Sequence, residues 1–414
     1  LRAANVHYLL CDGALPACME CDSSWYRNEL TFARQGPDPR HCDSCYRPAA
    51  VSFGELGLLI HRYSNFLTDE DYERSEQISQ AVPYHEIHGF SEDGIAIGEH
   101  AMAGALRFYA RATLSDPYAE PVLRRYLKAS LLTAWAVRKL ILQEQFDVVV
   151  THHGIYVPQG LAAEVARSEG IRVVTWHTAY RTKTFIFSHD DTYHHTFMDE
   201  PTDRWETMHW SSKQEQRILG YLASRAVGNQ DWISFVHKPQ AQLEPIMREL
   251  GFDPTKPTVG MLTNVMWDAQ LHYPANAFPN MLDWVIKTVE YFRSRPEIQL
   301  VIRVHPAEVR GTLLSRQPLV EEIRSIFKSL PENVFVVPPE SRISTYTVLQ
   351  QCNAALIYGT KMGVELTSAG IPTIVAGEAW VRNKGLTIDA NSQDEYFREL
   401  DQLPFGHGMD DATV

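Results

Sequence analysis

The sequence predicts an α/β protein built on parallel, doubly wound sheets, and three observations predict it. Short apolar runs bounded by Pro, Gly, Asn or Asp recur along the chain. Segments with helical spacing of apolar residues lie between them. The two kinds of segment alternate, as strands joined by helical crossovers must. At 414 residues the chain is long for a single core, so two domains are expected.

The second half is the more legible. Residues 258–263 (TVGMLT) follow Lys256-Pro257 and read as a buried strand. Residues 281–292 have helical spacing, with Met281, Trp284, Val285, Val289 and Phe292 on one face. Residues 299–304 (QLVIRV) form a second strand, ended by His305-Pro306. A helix over 319–330 leads to a third strand at 333–337 (NVFVV). A helix over 345–352 precedes a fourth strand at 354–358 (AALIY). A helix over 362–369, stopped by Gly370, precedes a fifth at 372–376 (PTIVA).

The first half repeats the theme less regularly. A strand at 6–10 enters a cysteine-rich insert of about 11–48, and a mainly helical stretch covers about 53–145. Residues 146–151 (FDVVVT) and 171–176 (IRVVTW) read as strands, with a helix over 160–168 between them and another over 214–227. The predicted architecture is two Rossmann-like domains facing across a cleft, 1–228 and 229–414, with the boundary at about 228–254. The chain starts at Leu1 and shows no signal-peptide pattern, and no fixed-period repeat is visible.

Composition narrows the function. The formal charge is −13, from 38 basic and 51 acidic residues, which argues against non-specific nucleic-acid binding. No apolar run reaches the ~18 residues that a membrane helix needs.

The densest chemical signal is residues 358–372, YGTKMGVELTSAGIP. A buried strand ends at Tyr358, Gly359 suits a tight turn, and a helix begins near Thr360. Open α/β sheets bind ligands at such strand ends, and helix N-termini favour anions. Thr360 and Lys361 are therefore candidate phosphate contacts. Glu365, one turn on, is placed to take both hydroxyls of a ribose; the plainer alternative is a capped helix with a surface glutamate. Arg303 and His305 end the second strand, and Glu378, Arg382 and Lys384 follow the fifth. Arg and Lys suit a diphosphate by fork geometry and point charge. An ordinary turn at His305-Pro306 and a solvated loop at 378–384 are the alternatives. No G-x-G-x-x-G is present, which favours a nucleotide-sugar over a dinucleotide.

Histidines dominate the first half's strand ends. His152 and His153 follow one strand, and His177 ends the next. His189, Asp190, Asp191, His194 and His195 crowd one loop. The loop can hold an acid/base pair in which a carboxylate orients an imidazole, and His153 and Asp191 are the candidate bases. A metal site and a simple polar loop are the other readings. His152, His177 and His194, with Arg181 and Lys183, are candidates for the acceptor side.

Cys18-x2-Cys21 and Cys42-x2-Cys45 have the spacing of a zinc site, four thiolates making a closed structural shell. The insert has few apolar residues of its own, and a metal would supply folding energy. Two disulfides and an iron–sulfur cluster are the alternatives, Cys11 is a competing ligand, and Cys352 reads as core.

The runs VIRVHPAE (301–308), residues 357–396, MLTNVMWDA (261–269) and YRTKTFIFSHDDTYHHTF (180–197) resemble bacterial capsule polysaccharide biosynthesis proteins. The resemblance spans about 140–400. That family comprises glycosyltransferases of the two-Rossmann GT-B type, related to Kdo-type capsule transferases. It implies transfer of a sugar from a nucleotide-sugar donor to a growing cell-surface polysaccharide, without a catalytic metal. It also implies a cytoplasmic place, a glycan or lipid-linked acceptor, and peripheral association with the inner membrane face. A nucleotide-sugar 2-epimerase, a polyol-phosphate polymer transferase and a non-catalytic scaffold remain alternative functions.

Overall fold

The computed structural model describes all residues except 1–3, 228, 229, 233, 234, 236–238, 241, 243, 244, 246, 247, 249, 252, 270, 272–274, 407 and 410–414. It is a mixed α/β fold with parallel sheets, divided into two compact units. The first comprises Leu1–His177, Phe187–Tyr193 and Trp267–His272. The second comprises Thr178–Ile186, His194–Met266 and Tyr273–Val414. The first division falls at Thr178, well before the expected 228–254, part of which lies outside the described residues. The helix Ser212–Val227 thus belongs to the second unit.

In the first unit, β1 (His7–Leu10) pairs parallel with β2 (Leu59–Arg62), with Leu9 opposite His61. A separate sheet runs β3 (Val148–His152), β4 (Arg172–Thr178), β5 (Phe185–His189), with β3 and β4 parallel. The core of this unit is helical. The helix Ala119–Glu144 buries Val122, Leu123, Tyr126, Leu127 and Leu131 against Phe108 and Ala105 of the helix Ile97–Tyr109. Its run of Ala and Leu favours helix, and Gln145 ends it in the left-handed region at φ 52°, donating its N–H to Ile141 O.

Three expectations change here. The mainly helical stretch contains a strand, β2, whose four residues are too short to show periodicity. The histidine-rich loop is partly regular: His189 ends β5, and His194 and His195 lie on the helix Tyr193–Met198. The cysteine-bearing segment is no self-contained module, because Leu15, Ala17, Cys21 and Phe32 join the main core. Phe32 stacks on Phe108 at 4.4 Å between ring centroids.

The second unit holds a six-stranded sheet: β6 (Thr258–Leu262), β7 (Gln299–Arg303), β8 (Val334–Val337), β9 (Ala354–Ile357), β10 (Thr373–Val375) and β11 (Ile388–Asp389). Their order is β11-β10-β9-β6-β7-β8, all pairs parallel. Five strands fall where the sequence predicts them, and β11 is added at the edge. Strands β6, β7, β9 and β10 are buried at every residue, which is why their sequences are continuous apolar runs without alternation. The helix Met281–Arg293 is capped by Asn280 and buries the predicted face. From β6 the chain builds outward through β7 and β8, then returns to the other side of β6 at β9. This is the doubly wound Rossmann order, with its switch point between β6 and β9.

Candidate functional site

In such sheets the crevice beyond the carboxyl ends of the strands at the switch point is where ligands bind. Here it is bordered by Thr263 and Asn264 after β6 and by Tyr358–Lys361 after β9. The Asn264 Oδ1 atom is buried without a hydrogen bond among the described residues. The loops after β9 and β10 are pressed together. A Cβ on Gly359 would meet Glu378 O at 3.1 Å, and one on Gly377 would meet Tyr358 O at 2.7 Å. Gly359 therefore sits where two loops approach closely, and a side chain there would push the Glu378 carbonyl aside; its φ is not left-handed.

The helix after β9 is short, Met362–Thr367, and Thr360 Oγ1 accepts the Met362 N–H at 3.3 Å. Glu365 is not a solvated surface residue. Its Oε1 accepts from Arg225 Nε at 3.1 Å, and its Oε2 accepts from the Tyr346 hydroxyl at 2.5 Å. Lys361 Nζ lies 3.7 Å from Glu365 Oε1 and 3.6 Å from the centre of the Tyr180 ring. Burial, and then the Arg225 charge, push the Lys361 ammonium down to about 7. Arg225 also pairs with Asp231, which accepts from the Tyr221 hydroxyl. Lys361 and Glu365 thus sit together at the strand end.

Arg303 and Arg382, candidate phosphate contacts by sequence, are engaged mainly with main-chain carbonyls. Arg303 is 4% exposed, and its guanidinium donates to Pro338 O, Ser341 O and Thr345 Oγ1. Burial and the neighbouring Arg310 bring it down to about 10. Arg382, 1% exposed, donates to Ala275 O, Gly377 O, Ala390 O and Asn391 Oδ1. Both fix loops by satisfying carbonyls that would otherwise be orphaned. His305 Nδ1 accepts the Ala307 N–H, and burial followed by the Arg303 charge pushes the imidazole down to about 4. Glu378 accepts from Ala275 N at 3.1 Å and faces His195 Nε2 at 3.1 Å. Lys384 Nζ donates to the carbonyls of Phe197 and Met198, tying its loop to the helix Tyr193–Met198.

In the first unit the structure gathers the expected histidines. His152 stacks on His177 at 5.5 Å between centroids, and His153 meets the same ring edge-on at 5.0 Å. Tyr193 stacks on His177 at 5.1 Å, and Tyr156 lies 5.6 Å from His153. His153 is buried and left-handed at φ 65°, followed by Gly154 at φ 75°. Burial and then His177 lower the His152 imidazole below its ordinary value. Asp191 accepts from Thr192 N at 2.6 Å, and its carbonyl accepts from the Thr175 hydroxyl at 2.8 Å, pinning the loop beside β4. In the second unit, Arg181 lies over the Tyr221 ring at 6.0 Å and Lys183 is exposed in a left-handed turn. His194 lies on the helix Tyr193–Met198.

Cys18 Sγ and Cys21 Sγ are 3.8 Å apart, while Cys42 and Cys45 lie on the helix Pro39–Glu55. Every cysteine is a free thiol. Among the described residues, only His7, His61 and Glu144 bring three potential metal ligands within 4.8 Å of one another.

Sequence reasoning missed Arg225, Asp231 and Tyr346 around Glu365, and Tyr156 with Asp268 in the first unit. The Tyr156 hydroxyl donates to Asp268 Oδ1 at 2.7 Å and accepts the Ala269 N–H at 2.7 Å. These pairs are 19 to 140 residues apart, and no local spacing signals them. Asp268 does stand in one of the runs that carries the family resemblance.

No family model matches the chain, and no curated protein sequence matches it. Solved structures similar to it include KpsC from Thermosulfurimonas dismutans, described as a beta Kdo 2,4 transferase. That match has 14% identity, covers 61% of this chain and 75% of that one, and has a TM-score of 0.40. The beta Kdo 2,7 transferase KpsC of the same organism matches at 13% identity, over 61% and 73%, with a TM-score of 0.36. UDP-GlcNAc 2-epimerase from Neisseria meningitidis, bound to UDP-GlcNAc, matches at 12% identity, over 66% and 73%, with a TM-score of 0.29. Each is a likeness, at identities and scores too low to bear on chemistry.

Proposed function

We propose that this chain is a glycosyltransferase that moves a sugar from a nucleotide-sugar to a growing cell-surface polysaccharide, of capsule or O-antigen type. The observation that carries the reading is the Lys361–Glu365 pair at the carboxyl end of β9, beside the switch point of a Rossmann-ordered sheet. A carboxylate has about four lone-pair sites. Arg225 and Tyr346 hold Glu365 through one on each oxygen, leaving room for the two hydroxyls of a ribose. Lys361 then supplies positive charge toward the phosphates, and Thr360 a hydroxyl. Arg303 and Arg382 support these loops from behind.

An inverting transfer needs a base within hydrogen-bond reach of the acceptor hydroxyl. We assign that role to His153, with Asp191 shaping its loop and His152 and His177 lining the acceptor side. Arg181, Lys183 and His194 are assigned to anionic groups of acceptor or donor. The reading carries with it a glycan or lipid-linked acceptor, no catalytic metal, and a cytoplasmic place peripheral to the inner membrane face. Among the described residues no helix is long and apolar enough to cross a membrane.

Structural zinc at Cys18, Cys21, Cys42 and Cys45 remains part of the proposal. Two thiolates on tetrahedral zinc at about 2.3 Å stand roughly 3.8 Å apart, which is the Cys18–Cys21 separation. The thiols of Cys42 and Cys45 would have to close on that pair. Zinc there would hold the start of the helix Pro39–Glu55 to the Cys18–Cys21 loop.

A thermal-shift screen across UDP, GDP, CMP and CDP species tests the core claim, since a ligand that binds the native state raises the melting temperature. Stabilisation by one nucleotide class, followed by acceptor-dependent release of that nucleotide from its sugar conjugate, is the expected result. No saturable binding of any of them removes the enzyme reading. Turnover of the nucleotide-sugar without acceptor points to epimerisation instead.

A further inference from the structure

We propose that His7, His61 and Glu144 form a binding site for a divalent transition-metal ion, zinc being the best chemical fit. The site lies in the first unit and is independent of the cysteines and of the nucleotide reading. His7 is on β1 and His61 on the paired strand β2. In the parallel register His61 stands opposite Leu9, so the two imidazoles are diagonal neighbours on one face of the ribbon. Glu144 is the last residue of the helix Ala119–Glu144. Three elements from distant parts of the chain therefore deliver one ligand atom each, all within 4.8 Å of one another.

Two observations favour a metal over a chance cluster. His7 Nδ1 and His61 Nε2 face each other at 2.9 Å, a hydrogen bond that an ion would replace, and a Glu144 carboxylate oxygen lies within 4.8 Å of both. His61 is only 8% exposed, and Phe66 and Phe146 pack against the two rings, limiting their rotation.

Two imidazoles and one carboxylate suit zinc, and three protein ligands leave a fourth position open to water. Bound there, the ion would clamp the β1–β2 ribbon to the end of the helix Ala119–Glu144.

The test uses the full chain stripped of metal, titrated with Zn2+ alone and with Co2+ alone. One equivalent of Co2+ binding without a thiolate charge-transfer band is expected. Glu144→Gln and His61→Gln should each weaken that equivalent at least about 10-fold. Glu144→Gln is at a partly exposed helix end, so it serves if His61→Gln does not fold. A second equivalent with a thiolate band belongs to the cysteines and should survive in both variants. The proposal is overturned if no band-free equivalent binds, or if that equivalent keeps its affinity in Glu144→Gln.

Discussion

The Tyr346 hydroxyl donates to Glu365 Oε2 across 2.5 Å, so the carboxylate expected to meet the ligand is already positioned by the protein. Arg225 holds its other oxygen, and burial with the Glu365 charge raises the Tyr346 phenol above its ordinary range. A preoriented acceptor loses less freedom when a ligand arrives. If Glu365 takes the ribose hydroxyls, Glu365→Gln should weaken nucleotide binding about 10- to 100-fold, the worth of a charged hydrogen bond. A 2′-deoxynucleotide should show the same loss in the wild type and no additional loss in the variant. Equal penalties for the deoxy ligand in both proteins would remove Glu365 from the ribose.

Lys361 makes nucleotide affinity depend on pH. Its ammonium titrates at about 7 in the free protein, because burial and Arg225 disfavour the charge. A phosphate beside it favours the charged form and raises that value. Binding should therefore take up a proton above about pH 7, and affinity should fall as pH rises from there. Calorimetry in buffers of different ionisation enthalpy reads the proton directly. Proton-neutral binding at pH 8 would place the phosphates away from Lys361.

Arg382 should matter for folding more than for recognition. Truncation to Ala leaves the carbonyls of Ala275, Gly377 and Ala390 without this donor in a buried place. A loss of about 2–4 kcal/mol in urea unfolding is expected. A variant of unchanged stability that no longer binds nucleotide would restore the phosphate role to Arg382.

His153→Asn tests the base. Asn tolerates the left-handed backbone at φ 65°, so the loop should keep its shape. Loss of a general base costs about 10²- to 10⁴-fold in turnover, with nucleotide affinity unchanged. Full activity in this variant would move the base elsewhere or indicate a retaining reaction.

The second unit was legible because its strands are buried on both faces. Residues 258–263 and 299–304 could be read as strands without any alternation, and the structure keeps both almost to the residue. The first unit was less legible because much of its core is helix on helix. The strand Leu59–Arg62 has two exposed, one half-buried and one buried residue, so no apolar run marks it. At the candidate site the residue types were visible and their engagements were not. Arg303 and Arg382 are the residues that phosphate binding would use, and only long-range geometry shows them turned into carbonyls. The partners of Glu365 come from helices 140 and 19 residues away.

The return of residues 267–272 to the first unit has a consequence for synthesis on the ribosome. Tyr156 waits 112 residues for Asp268, its hydrogen-bond acceptor. The first unit therefore cannot complete its contacts until β6, a central strand of the second, has already been made. A chain cut at Thr178 would leave the first unit without Phe187–Tyr193 and Trp267–His272. The first unit draws on later-made polypeptide to complete itself, and residues 1–177 expressed alone should fold only when residues 178–414 are supplied with them.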